Sequence, residues 1–141
     1  MSRILAIDYG RKRCGIAVTD TLQISANGLD TVPTGKLPDF LREYCSREPV
    51  EEIVVGLPRQ LDGQDSDSMR YIRPFMGKLP QIVPGVKITQ YDERFTSTLA
   101  HRAMIDAGLK KNTRQQKPLA DKTAAVILLT DYLESRGFGA V

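Results

Sequence analysis

The chain has 141 residues, enough for one domain with a real core and too few for two lobes closing on a cleft. Hydrophobic residues make up 41% and charged residues 26%, which excludes a disordered chain, and no apolar run approaches the roughly 20 residues that span a bilayer. The formal net charge is only +3, yet it is unevenly spread: Arg11, Lys12 and Arg13 form one cluster and Lys110, Lys111, Arg114 and Lys117 another, a pattern suited to a polyanion.

The opening "MSRILAID" lacks the apolar stretch and small-residue cleavage site of a secretory signal, which points to the cytoplasm. In that reducing compartment Cys14 and Cys45 are packing residues rather than a disulfide or a metal site. Residues 3–8, "RILAID", and 13–19, "RCGIAVT", are two β-branched apolar runs around a turn containing Gly10, and predict a hairpin. A third strand near "GLDTVPT" extends it into a meander. Leu37, Phe40, Leu41, Tyr44 and Cys45 then fall on one face of an amphipathic helix that ends before Pro49.

"EEIVVGLP", residues 51–58, reads as a strand buried on both faces and fits a parallel central position. From Ser66 to about Leu79 a stripe of Met69, Ile72, Met76 and Leu79 predicts a helix, kinked or broken at Pro74. "VKITQYDE", 86–93, alternates as a strand, and Leu99, Ala103, Met104 and Ala107 mark a further helix stopped by Gly108. Residues 109–117 read as a basic loop, and a last helix runs from about Pro118 to Ser135. The whole is one α/β domain, residues 1–141, built on a mixed sheet.

Three acids stand where chemistry could use them. Period-2 alternation puts Ile4, Ala6 and Asp8 on one face of the first strand, so Asp8 sits at a core strand's end, either as a ligand or as an aspartate bonding its own turn. Asp92 and Glu93 end a later strand with side chains on opposite faces; Glu93 is the first choice for a site and Asp92 the alternative, while both could simply precede a helix capped by Thr96 or Ser97. Asp121 precedes Ala125, Leu128 and Tyr132 on an apolar helix stripe, where an acid needs a partner: a salt bridge or a metal ion.

Carboxylates from two strand ends and a helix supply hard oxygen ligands for magnesium, and a metal pair would activate water against a phosphodiester without a nucleophilic side chain. That suits a chain whose single histidine, His101, falls mid-helix and forms no triad. Gly56 and Pro58 would let backbone approach a substrate, or simply turn the chain. "DYGRKRCG" is neither a Walker loop nor a dinucleotide fingerprint, and "DGQDSD" lacks the order of a calcium loop.

Taken together, "LAIDYGRKRCGIAV", "IVVGLP", "DERFTS" and "DKTAAVILLTDYL" resemble the YqgF family, also called RuvX or pre-16S rRNA nucleases, with the elements in family order from about residue 3 to 134. The resemblance implies a ribonuclease H-like fold: a five-stranded mixed sheet, its first three strands antiparallel, flanked by helices. It implies a divalent-metal nuclease whose acids match Asp8, Glu93 and Asp121; the leading reading is a Mg2+- or Mn2+-dependent enzyme in which Arg11, Lys12, Arg13 and Arg94 hold phosphates and Gly56 and Pro58 let the substrate approach. The implied task is maturation of the 5′ end of precursor 16S rRNA, on ribosomal particles or free RNA, with Holliday junction resolution as the older proposal. In related resolvases an acid ends the central strand; here that position reads "GLP", leaving a smaller acid set. A non-catalytic nucleic-acid-binding module and a phosphotransferase of the sugar kinase type are the other classes to separate, and monomer and homodimer both remain open.

Overall fold

The computed structural model describes residues 2–57, 69–92 and 117–135, without the side chains of residue 92 and residues 117–123. Three strands open the chain: β1 (Arg3–Asp8), β2 (Arg13–Thr19) and β3 (Ala26–Pro33). A single 3-10 turn leads into α1 (Leu37–Arg47), followed by β4 (Val50–Leu57), α2 (Met69–Ile82), β5 (Lys87–Asp92) and α3 (Lys117–Ser135). The strands form one five-stranded sheet in the order β3-β2-β1-β4-β5. β1 pairs antiparallel with β2, and β2 with β3; β1 pairs parallel with β4, and β4 with β5. This is the mixed sheet that the resemblance implied.

Alternation along the strands divides the core into two layers. Leu5, Ile7, Ile16, Ile53 and Val55 point to the face covered by α1 and α2, where Leu37, Leu41, Tyr44, Ile72 and Leu79 are buried. Ile4, Ala6, Ala17 and Val54 point to the other face and meet Ala125, Leu128, Leu129 and Tyr132 of α3. The expected split of β1 is thus observed, as is burial of β4 on both faces: every residue from Glu52 to Leu57 is buried. The stripe of α1 is also as expected, with Phe40 and Cys45 half-buried at its border.

Local signals explain the ends of α1. Pro38 occupies its first turn, where no N–H is missed, and Asp39 there complements the helix dipole. Glu48 leaves the helix with φ −119° and ψ 146°, the extended geometry required of a residue before proline.

Of the kink or break expected at Pro74, the break is absent: α2 runs as one helix through both Pro74 and Pro80. Each proline costs a helix interior about 3 kcal/mol. Burial of Met69, Ile72, Phe75, Leu79 and Ile82 offsets this, at about 1.5–3 kcal/mol per side chain. Phe75 rather than Met76 carries the middle of that stripe; Met76 is half-buried beside it.

The other strands and α3 lie within two residues of their expected bounds, and Lys117 begins α3 instead of closing a loop. Pro58, Glu93, Arg94, His101, the helix expected around Leu99 and the basic segment from Lys110 to Arg114 lie outside the described residues. Among the described residues no helix is long and apolar enough to cross a membrane.

Candidate nuclease site at the sheet edge

β1, β4 and β5 run parallel, so their C-terminal ends, Asp8, Leu57 and Asp92, come out along one edge of the sheet. In open α/β sheets that edge is where ligands bind. Asp8 is half-buried there, and alternation from Ile4 and Ala6 gives it the face that α3 covers.

Its lateral neighbours are glycines. Asp8 pairs with Gly15 on β2, and on β4 the residue after Val55, the partner of Ile7, is Gly56. Gly15 lies between Cys14 and Ile16 of the α1/α2 layer, and Gly56 follows Val55 of that layer, so both belong to Asp8's face. Both are buried, and neither puts a side chain beside the carboxylate. A hard oxygen donor with no side chain flanking it on either strand suits a cation that keeps its own waters.

β5 settles which face position 92 belongs to. Leu57 of the α1/α2 layer pairs with Asp92, and Gly56 pairs with Tyr91, whose ring packs against the α3 layer. Asp92 therefore occupies the register of the face opposite Asp8. Asp121 lies in α3 one turn before Ala125, which is fully buried against the sheet; the expected stripe of Ala125, Leu128 and Tyr132 is all in that layer. Among the described residues no three acids, histidines or cysteines are grouped, and two of the predicted acids, Glu93 and Asp121, have side chains outside that description.

The chain after Asp8 is shaped by Gly10. A Cβ there would lie 2.2 Å from the Arg13 carbonyl oxygen, so the turn closes too tightly for any side chain. The Gly10 carbonyl accepts the Thr34 hydroxyl at 2.7 Å, and the Lys12 carbonyl accepts the Thr34 N–H at 3.0 Å. Tied in this way, the turn presents Arg11 and Lys12 to solvent, with Arg13 half-buried. Lys12 and Arg13 line a depression of about 280 Å3 with Thr31 and Pro33. On the other side the Tyr9 and Phe75 rings meet at 4.7 Å with a 30° tilt, and the Arg11 guanidinium lies 5.2 Å from the Tyr71 ring centre.

One polar group was not singled out from the sequence. Glu52 on β4 is 3% exposed, and its Oε2 accepts hydrogen bonds from the Thr89 and Tyr132 hydroxyls. The Tyr91 hydroxyl donates to Asp131, and the Tyr91 and Tyr132 rings meet edge to face at 5.8 Å. Together they bind the second half of α3 to β4 and β5, and so hold the helix that carries Asp121. The signal was available: Glu52 alternates with Val54 in a strand read as buried, and a buried acid needs partners.

Comparison with known proteins agrees with this frame. The sequence profile of the RuvX family, described as Holliday junction resolvase, matches residues 2–135. A protein of Phocaeicola vulgatus named "Putative pre-16S rRNA nuclease" is 56% identical over 98% of this chain and 99% of its own. Its namesake in Porphyromonas gingivalis is 57% identical over 96% and 98%. In structure, Thermus thermophilus RuvC, solved in complex with a Holliday junction substrate, shares the fold with a TM-score of 0.56 over 98% of both chains, at 17% identity.

Proposed function

The chain belongs to the RuvX family, and from that premise we propose that it is a divalent-metal-dependent endonuclease acting on structured nucleic acid, with the 5′ end of precursor 16S rRNA as its substrate. The observation that carries this reading is Asp8: an acid at a parallel strand's C-terminal end, flanked by Gly15 and Gly56 and followed within three residues by Arg11. The name shared by relatives at 56% and 57% identity supports the RNA substrate.

Asp8, Glu93 and Asp121 are the residues that would hold Mg2+ or Mn2+. We favour Glu93 over Asp92 because position 92 has the register of Leu57, on the opposite face from Asp8. When bound, the metal supplies an acidified water and charge neutralisation at the scissile phosphate. The chain's own residues supply the rest. Asp8 anchors the site to the sheet, Arg11, Lys12, Arg13 and Arg94 would hold phosphates, and Gly56 and Pro58 would let the sugar-phosphate backbone approach. In this reading residues 1–141 act as a single cytoplasmic domain whose partners are precursor rRNA and ribosomal particles.

Asp8→Asn tests the site. Asparagine keeps the size of the side chain but removes its charge, so cleavage of precursor rRNA in manganese should be abolished while the circular dichroism spectrum and most RNA affinity persist. Full cleavage by that variant would sink the assignment. Holliday junction resolution is the second reading, favoured by the RuvC-like fold. It requires two active sites related by symmetry, and a four-way junction in the same assay separates it from RNA processing.

A further inference from the structure

α2 is unlike α1 in its charge. α1 mixes signs, and its outward cations are paired within the helix: Arg42 with Asp39 at 3.1 Å and Arg47 with Glu43 at 3.8 Å. α2, "MRYIRPFMGKLPQI", has Arg70, Arg73 and Lys78 and no acid at all. All three cations are exposed, because the buried stripe takes Met69, Ile72, Phe75, Leu79 and Ile82 to the other side. A helix face whose own charges are all of one sign favours a polyanion.

The first turns of α2 lie against the turn that follows Asp8, through the tilted ring pair Tyr9 and Phe75 and through Arg11. Tyr71 is 37% exposed, and two guanidinium groups lie over its ring, Arg11 at 5.2 Å and Arg70 at 5.9 Å from the ring centre. Among the described residues no carboxylate pairs with Arg11 or Arg70. A ring face orients a guanidinium without accepting its in-plane N–H groups, whereas a carboxylate would consume them. Arginines held in this way are ordered and still able to donate.

We propose that Arg11, Tyr71 and Arg70 form a phosphate clamp that grips single-stranded RNA beside the cleaved bond, with Tyr71 as the positioning residue for the two arginines. The clamp extends the nucleic-acid track from the Asp8 edge onto the outer face of α2, where the exposed Lys78 continues it. A second copy of the chain is a poorer occupant, since it would set cation against cation. Arg11 is three positions along from Asp8, so their Cα atoms are at most about 11 Å apart and the gripped phosphate lies within a few nucleotides of the site.

This inference rests on the nuclease reading for its ligand, but binding tests it separately from cleavage. Affinity for a short single-stranded RNA would be measured by fluorescence anisotropy in EDTA across a salt series, for the wild type and for Arg70→Ala, Arg11→Ala, Tyr71→Phe, Tyr71→Leu and the Arg11→Ala/Tyr71→Leu double variant. Arg70→Ala and Arg11→Ala should each weaken binding several-fold and flatten the slope of log affinity against log salt by about 0.7, the value of one phosphate contact on a single strand. Tyr71→Phe, which keeps the ring, should bind as the wild type does. Tyr71→Leu should weaken binding with an unchanged melting temperature, and should add little once Arg11 is gone. Wild-type affinity and slope in Arg70→Ala and Tyr71→Leu would overturn the clamp, as would equal losses in Tyr71→Phe and Tyr71→Leu, or loss of a dimer in place of RNA affinity. If the wild type binds RNA and cleaves it while these variants bind normally, the clamp alone falls. If the wild type binds no RNA, the clamp falls together with the RNA substrate.

Discussion

Gly10 shows how one residue without a side chain sets the position of three that have long ones. Its missing Cβ lets the Arg13 carbonyl come within 2.2 Å of where that atom would be. Gly10→Ala must move the turn, and overpacking of this kind costs typically about 1–3 kcal/mol. Because the Gly10 carbonyl also holds the Thr34 hydroxyl, the displacement passes to the end of β3. We expect Gly10→Ala to lower the denaturant midpoint and to weaken RNA binding through Arg11, Lys12 and Arg13; wild-type affinity in a correctly folded variant would mean that the turn does not position them. Asp8 was legible from the sequence because its place depends only on the period of its own strand. The arrangement of Arg11 over Tyr71 was not, because the partners are 60 residues apart and only the packing of the hairpin turn on α2 brings them together.

Among the elements, the hairpin, α1 and the two-sided burial of β4 could be read in advance, since each is a property of one segment's periodicity. α2 could not. Pro74 and Pro80 are unfavourable locally, and what keeps the helix whole is the apolar layer formed by β1, β2, β4 and α1, which no single segment displays. That position 92 has the register of the face opposite Asp8 needed the cross-strand pairing to Leu57 for the same reason. Glu52 is the sharper case, because its donors, Thr89 and Tyr132, come from β5 and α3, 37 and 80 residues along the chain. Tyr132→Phe removes one of two donors to a buried carboxyl oxygen and should destabilise the protein by about 1–3 kcal/mol in urea unfolding. If the network also holds α3 in register for Asp121, the variant should need more manganese for half-maximal cleavage under conditions where it is fully folded. A loss of stability with an unchanged manganese requirement would limit Tyr132 to a structural role.

For the molecule as a whole, the question is whether two sites act together. A junction resolvase has to present a pair of active centres related by a two-fold axis, which demands a self-complementary surface. β3 is a poor candidate for edge-to-edge pairing: Gly28, Asp30 and Pro33 are exposed along it, and glycine, charge and proline all discourage strand addition. The outer face of α2 carries three cations and no acid, and would repel its own copy. Neither surface favours a dimer, whereas a monomer with one acidic site and a cationic track suits a strand with a single bond to cut. Analytical ultracentrifugation should accordingly give a monomer at micromolar concentration. With manganese, precursor 16S rRNA should be cut while a four-way junction is bound without paired, symmetric nicks. EDTA should stop the cutting and leave RNA binding in place, since the arginines and lysines proposed to hold phosphate are separate from the acids proposed to hold metal. Paired nicks in the junction together with a stable dimer would reverse the preference for RNA, and cleavage undiminished in EDTA would remove the metal from the mechanism.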